Sequence, residues 1–579
     1  MRGQRGGWRQ RARAALAHGD NPNIIEPCVT ACRLLRQWAA GKLAATELWW
    51  TADGCLSDGM DRPAMNEFHL IGSHRGDCNC NKRLKELLLP LGFDLLLTPV
   101  PSGSVSTMIK PSSLFKAMYV RSPQQFATRL GASSVLLGQF WKSLFSTAEG
   151  RELREANPYL TGKRWQDLVH AIPICMHEDA GPFSKSKACN LLQWYALNGH
   201  GGDVETRYYI FSFLKVAGAP ADLSAAAWDI LLADIDDLAA GFSSEDGEAF
   251  APIDADHRWT LITLFGPSDL EAQVSWGNTS YNGEDQLCMK CLADRTDAPH
   301  TDHSETAVWR GLRIQTEQHF RLRLSGCHPI RDANFFTRFY SRLDCMHVLD
   351  HKGAAGIVLG GVIYALLREP SLGNTIQARL DRFNAELKEF NSDHTLSSKM
   401  PPLRYENIVS TTLNDWVILH GPLVKAANTR HLCPFAMLKA REHFLTGSQW
   451  HVVLVGLITS LCEIYDCMYT GGTFLSDTQH EHFSDAVLRF GYFLGHARAL
   501  SHSRNLLLFQ LSPKTHYVQH LPDEAKVINP VKTQCYLSES NIGKVTQVWR
   551  GSVSGRWHRV VQHTVALKVA VGWAIDLDL

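Results

Sequence analysis

Neither sign of charge is in excess in this sequence. Lys plus Arg and Asp plus Glu both number 58, so the chain lacks the basic balance that marks a nucleic-acid binder from composition alone. Any basic surface is therefore local. Long apolar runs are also missing: the longest, 353–367 and 452–462, fall short of the roughly 20 residues that span a bilayer, and they read as buried helices. The opening MRGQRGGWRQRARAALAHGD has no apolar core of the kind a secretory signal needs. Its Arg2, Arg5, Arg9, Arg11 and Arg13 read as a solvated terminus, a nucleic-acid arm, a transit peptide or a nuclear signal. The 15 cysteines follow no regular framework, which points to free thiols in a reducing compartment, nuclear or cytoplasmic, neither secreted nor transmembrane. No fixed-period repeat, G-x-x-x-x-G-K-[ST] loop or dinucleotide fingerprint occurs.

What is present is the composition of a globular protein, 45% apolar and 20% charged over 579 residues, enough for two to four structural units. Residues 1–165 read as a mainly helical region without evident chemistry. From 167 three strands with turn signals follow, DLVHAIPICMHEDAG, ACNLLQWYALNGHGG and TRYYIFSFLK, as in an antiparallel meander. Between Asp222 and Asp256 ten acidic residues and no Lys or Arg occur, an exposed amphipathic helix plus loop or an acidic docking surface. From 353 to 508 the pattern is helical throughout. After Pro513 a short extended segment leads to a helix with Ser538 at its N-cap and Ile542, Val545 and Trp549 on one face.

Three acids stand at the edges of buried elements. Asp179 ends the run AIPICMHED, Asp344 precedes the run LDCMHVLDHKGAAGIVLGGVIYALL, and Glu539 begins the last helix. Carboxylates facing a core need a cation, a hydrogen-bond network or a metal. Three that converge would hold two Mg²⁺ ions, which take hard oxygen ligands and activate both the attacking and the leaving oxygen in phosphodiester displacement. The other reading is ordinary capping acids at element ends. A Cys345–His347 hydrolase is set aside, because residues two apart do not face each other on a helix.

The run beginning LDCMH resembles the Asp-x-Met-His block of CACTA (En/Spm)-type cut-and-paste transposases, and HEDAGPFSKSKACNLLQWYAL resembles the block around their first catalytic Asp. SPKTHYVQHLP followed by CYLSESNIGKVTQVWRG is similar to the closing blocks of these and of the related Kyakuja-Dileera-Zisupton transposases. The resemblance implies a mixed α/β, RNase H-like core interrupted by a large all-α insertion. It divides the chain into 1–165, a first part of the core at 166–352 with an acidic and Cys-containing insertion at 220–320, a helical insertion at 353–508, and a closing part at 509–579. It further implies Asp179 on the first strand of that core, Asp344 on its fourth strand and Glu539 on a late helix as ligands of two Mg²⁺ ions. His347 supports them, and Glu178 and Asp350 are the rival acids. DNA at transposon ends is the implied partner, met by Lys514, Lys544, Arg550, Arg556 and Arg559, and a homo-oligomer the implied assembly. The alternative is a non-catalytic remnant, or a domesticated module that binds DNA or protein.

A second constellation is independent of that resemblance. CMKCLADRTDAPHTDH offers Cys288, Cys291, His300 and His303 as a zinc ligand set, with the C-x₂-C knuckle at the usual spacing and the two histidines closer than usual. His74, Cys78 and Cys80 read as a loop, and Cys28 and Cys32 as core residues at helical spacing.

Overall fold

The computed structural model describes residues 29–57, 96–101, 105–215, 221–243, 258–268, 287–324, 328–409, 416–422, 424–553 and 558–576, with isolated positions between them. The N-terminal arginines, Cys28, His74, Cys78, Cys80 and Arg556 lie outside the described residues, as does the side chain of Arg559. The chain is mixed α/β, mostly helical, with a mixed five-stranded sheet. It divides into two compact units. Unit 1 comprises residues 1–141, 163–266 and 536–579, and unit 2 comprises 142–162 and 267–535.

Unit 1 starts its strands with a two-stranded antiparallel ribbon, β1 (Thr98–Pro101) and β2 (Val105–Met108). β3 (Ala171–Pro182), β4 (Ala188–Ala196) and β5 (Tyr208–Lys215) form an antiparallel meander, and β6 (Thr260–Ser268) pairs with β3 in parallel, so these four of the five strands stand in the order β5-β4-β3-β6. β3 is buried on both faces from Ala171 to His177. That explains its nearly continuous apolar run, since a strand flanked on both sides and covered on both faces has no solvent side to alternate with. Only from Glu178 does it reach half-buried surroundings.

The helix Tyr536–Arg550 packs across β3, and one glycine sets how closely. A Cβ on Gly181 would lie 2.5 Å from Ile542 Cγ2 and from Thr546 Cγ2. Gly181 shares its face of β3 with His177 and Asp179, by the two-residue period of a strand. The helix begins at Tyr536 and not after Ser538, because Ser538 is held inward within the first turn. Its hydroxyl accepts from Arg207 Nε (3.1 Å) and its carbonyl from Gln193 Nε2 (3.3 Å). The helix Ala221–Ala240 buries Trp228, Leu231, Ile235 and Leu238 and exposes most of its acids. Asp234 turns inward, accepting from the backbone N–H of Ser112 (3.0 Å) at the start of another helix.

Unit 2 is built on helices Ala354–Leu366, Ile376–Asp393, Ala426–His443, Gln449–Thr470 and Asp477–His502. The first buries every residue except Tyr364. Its Gly361 lets the Phe509 ring approach to 2.3 Å from where a Cβ would stand, so the Gly-Gly pair is a packing device. Gln449–Thr470 is the one helix among the described residues long and apolar enough to cross a membrane. Its Leu454, Leu457, Ile458, Leu461 and Ile464 are core residues of this unit. Ahead of these helices stand β7 (Ser341–Leu343), Asp344 and a single π-helical turn, Met346–Asp350.

After them comes a departure from the sequence reading. THYVQHLP, read as extended, forms two short helices, Pro513–Val518 and Leu521–Ala525. Pro513 stands at the first helical position, where its missing N–H costs nothing and its fixed φ suits the helix. Ser512 caps that helix in a reciprocal arrangement with Thr515.

Candidate metal sites

Helical winding at 513–520 puts His516 and His520 one turn apart on the same side, and there they meet the cysteine knuckle. Ligand atoms of Cys288, Cys291, His516 and His520 all lie within 4.8 Å of one another. Cys291 Sγ is 3.3 Å from His516 Nε2, and the two histidine Nε2 atoms are 3.2 Å apart. All four side chains are at most 1% exposed. The knuckle is shaped by main chain: Lys290 N–H donates to Cys288 Sγ (3.3 Å), and Ile314 N–H to the Lys290 carbonyl (2.9 Å). Arg323 Nη1 donates to the carbonyls of both Cys288 (3.2 Å) and Cys291 (3.1 Å). The Trp309 ring stands 4.5 Å from His516 and 5.3 Å from His520, between centroids.

The electrostatics of the group are those of ligands gathered before a cation. Burial would raise the Cys288 thiol, but hydrogen bonding with Cys291, the charge of His520 and bonds to both histidines bring it well below the ordinary thiol value. Burial and the neighbouring Cys288 push Cys291 far up. Burial lowers His520, yet the Cys288 thiolate and Asp523 overcome this and carry it to about 9, whereas burial takes His516 down to about 4. Outside the four, His520 Nδ1 lies 3.4 Å from Asp523 Oδ2, and Arg313 Nη1 holds Asp523 at 2.6 Å. Lys290 and Arg342 each pair with the buried Glu524 at 2.8 Å.

His300 and His303, the histidines read from the sequence as partners of the knuckle, are not in this group. The turn that carries them folds on itself. Asp294 Oδ1 accepts from the N–H groups of Thr296 and Ala298 (both 2.8 Å), and the Asp294 carbonyl is 3.1 Å from His300 Nδ1. His303 is buried beside the helix Asp477–His502, its carbonyl 3.1 Å from where a Cβ on Gly491 would lie. The signal for the true partners was H-x₃-H at 516 and 520, which together with C-x₂-C is a zinc pattern from two distant segments.

A second group lies in unit 1. His177 and Asp179 on β3 and Glu539 in the first turn of its helix bring ligand atoms within 4.8 Å of one another. His177 is fully buried, and the two acids are half-buried. His177 is fixed by a buried polar network. Asn541 Nδ2 donates to Gln193 Oε1 (2.8 Å), and the Gln193 amide N–H₂ donates to the Ser538 carbonyl and, at 3.1 Å, to His177 Nδ1. The carbonyl of Ser538 fixes which end of the Gln193 amide carries the donors. His177 Nδ1 is therefore the acceptor, and a neutral imidazole holds its proton on Nε2. His177 thus carries an N–H on its Nε2, in the same group as the two carboxylates. Sequence reading passed over it, although MHED displays it two residues before Asp179. Glu178, the rival acid, falls on the opposite face of β3 by strand alternation.

Asp344 lies in unit 2 and is 1% exposed. Its Oδ2 is 2.5 Å from His347 Nδ1, and its Oδ1 accepts from the N–H groups of Met346 (3.1 Å) and Cys535 (3.0 Å). The strand that pairs in parallel with β3 is β6, whereas Asp344 follows β7. Asp350 accepts a hydrogen bond from Tyr465 within the helical core. Among the basic residues, Lys544 and Arg550 share the Glu539 helix, and Arg550 is spent on the end of β3, donating to the carbonyls of Phe183 (2.9 Å) and Pro182 (3.1 Å). Lys514 is in unit 2, donating to the His351 carbonyl (2.8 Å), so the basic cluster read from sequence is divided between units.

No protein-family model matches the chain, and no curated protein matches it significantly.

Proposed function

We propose that this chain is an RNase H-like, DNA-processing protein of the cut-and-paste transposase type, with part of its catalytic site in unit 1. The observation that carries the reading is the meeting of Asp179 and Glu539, from segments far apart in the chain, within 4.8 Å on β3 and the helix laid across it. The strand order β5-β4-β3-β6, antiparallel through the meander and parallel at β6, supports the fold assignment. So does the long helical segment inserted before the Glu539 helix.

Two half-buried carboxylates are hard oxygen donors that leave room for water and phosphate oxygens, which suits Mg²⁺ or Mn²⁺. A divalent ion there would lower the pKa of an attacking water and neutralise charge on the phosphoryl oxygens. Asp179 and Glu539 would hold it, and His177 would hold their oxygens in place through its Nε2 proton. A third acid completes a two-metal set, and two stand for test. Asp344 is the sequence expectation. Asp269 is the acid that follows β6 in sequence and lies outside the described residues. DNA is the proposed substrate, with transposon ends its specific form, and a homo-oligomer the working species.

The test is cleavage and strand transfer on linear DNA with Mg²⁺ or Mn²⁺. Asp179→Asn and Glu539→Gln should each lose more than the roughly 100-fold typical of removing a residue that only orients a metal ligand. Whichever of Asp269→Asn and Asp344→Asn matches that loss identifies the third acid. Cleavage by the wild type that neither Asp179→Asn nor Glu539→Gln reduces, or no cleavage by folded wild type with either metal, would overturn the catalytic reading.

A further inference from the structure

We propose that Cys288, Cys291, His516 and His520 bind one structural zinc ion that clasps together the two segments flanking the helical block of unit 2. Two thiol and two imidazole donors are the ligand chemistry of Zn²⁺ and a poor match for Mg²⁺ or Ca²⁺, which select oxygen. The separations fit. Tetrahedral bonds of about 2.3 Å to sulfur and 2.0–2.1 Å to nitrogen place neighbouring ligand atoms about 3.3–3.8 Å apart. The 3.3 Å from Cys291 Sγ to His516 Nε2 is at the short edge of that range, and the 3.2 Å between the two Nε2 atoms is just below it. Four protein ligands, all buried, fill a tetrahedron and leave no position for water or substrate. The ion's work is therefore structural.

The surroundings are those of a built site. The Lys290 N–H on Cys288 Sγ stabilises a thiolate. The Asp523 carboxylate beside His520 Nδ1 orients the ring so that Nε2 faces the ion, and Arg313 fixes Asp523 in turn. Arg323 ties the two carbonyls of the knuckle. The ligands come from before and after the helices Ala354–Leu366 to Asp477–His502, so the ion closes a very long loop through coordination bonds. Such closure links metal binding directly to folding.

The experiment is metal analysis of the full chain purified without chelator, by elemental mass spectrometry. The wild type should carry about one zinc per chain. Cys288→Ser and His520→Asn should carry almost none, while the double variant His300→Asn, His303→Asn should keep it. Because ligand variants are prone to misfold, the wild type is also exchanged into Co²⁺, where a two-thiolate, two-imidazole tetrahedron gives intense visible d–d bands and sulfur-to-cobalt charge transfer. Asp523→Asn should weaken zinc affinity by about 10–100-fold in chelator competition without removing a ligand. Folded wild type with no zinc, cobalt spectra of six-coordinate character, or zinc retained by a Cys288→Ser, Cys291→Ser double variant would each overturn the proposal. Loss of zinc from the His300, His303 variant would move the site back to the sequence-read ligands. None of these readouts involves DNA, so they stand or fall independently of the catalytic assignment.

Discussion

The cysteine–histidine group of unit 2 and the acidic group of unit 1 both gather titratable side chains from segments far apart in the chain, but they treat solvent in opposite ways. The first surrounds its four ligands with Trp309 and a shell of ion pairs until none is more than 1% exposed. The second buries only His177 and leaves Asp179 and Glu539 at the point where β3 emerges from full burial. A closed tetrahedron of soft donors suits an ion that never meets substrate, and a half-open pair of carboxylates suits one that does. One architecture is finished without substrate, and the other is completed by it.

The strongest way to break that contrast is to strip metal. A structural zinc carries a binding free energy on the order of 10 kcal/mol, comparable with the whole stability of a domain. Excess strong chelator should therefore abolish the calorimetric transition of unit 2 and leave that of unit 1 within about 2 °C, an offset set by small ΔΔG on a unit of this size. If both transitions collapse together, or neither moves, the two groups do not differ in the way their burial indicates.

How much of this could be read from the chain differs between the same two regions. The meander β3–β5 was legible because its strands are apolar runs bounded by Gly, Pro and Ser, and the cysteine knuckle because C-x₂-C is local. β6 was missed: TLITLFGPS lies within the stretch assigned to an acidic and cysteine-containing insertion, although its β-branched run is of strand type. His516 and His520 were missed because THYVQHLP reads as extended, and the helical winding that aligns i with i+4 begins with the Ser512 cap and Pro513. Which histidines complete a knuckle is a fact of tertiary packing, and nearness in sequence favoured His300 and His303. Asp179 and Glu539 stood out as acids beside apolar runs, yet only the approach allowed by Gly181 shows that their elements touch.

Gly181 gives the next sharpest separation of the two regions. Its missing side chain is what lets Ile542 and Thr546 seat on β3, and an added methyl would meet both at 2.5 Å. Gly181→Ala should cost unit 1 about 1–3 kcal/mol, the usual range for overpacking a close contact. By moving the Glu539 helix away from Asp179, it should also lower cleavage more than it lowers the amount of folded protein. Zinc content should stay unchanged. Wild-type stability and activity in this variant would show that the helix and strand are not held at the distance the acids require.

The smallest expected effect concerns acid. His303 is driven down to about 3, first by burial and then by the charges of His516 and Arg310, and burial with the nearby Arg331 takes His328 to about 4. Both are neutral in folded unit 2 and become protonated in the unfolded chain near the ordinary histidine value of about 6.5. The unfolded state then binds more protons below pH 6.5, so the stability of unit 2 should be level above that pH and fall as pH drops from about 6.5 toward 4. His303→Gln and His328→Gln together should flatten the slope in urea titrations followed at fixed zinc. An unchanged slope in the double variant would assign the acid sensitivity of this unit to the four ligands themselves, which must shed protons to hold a metal.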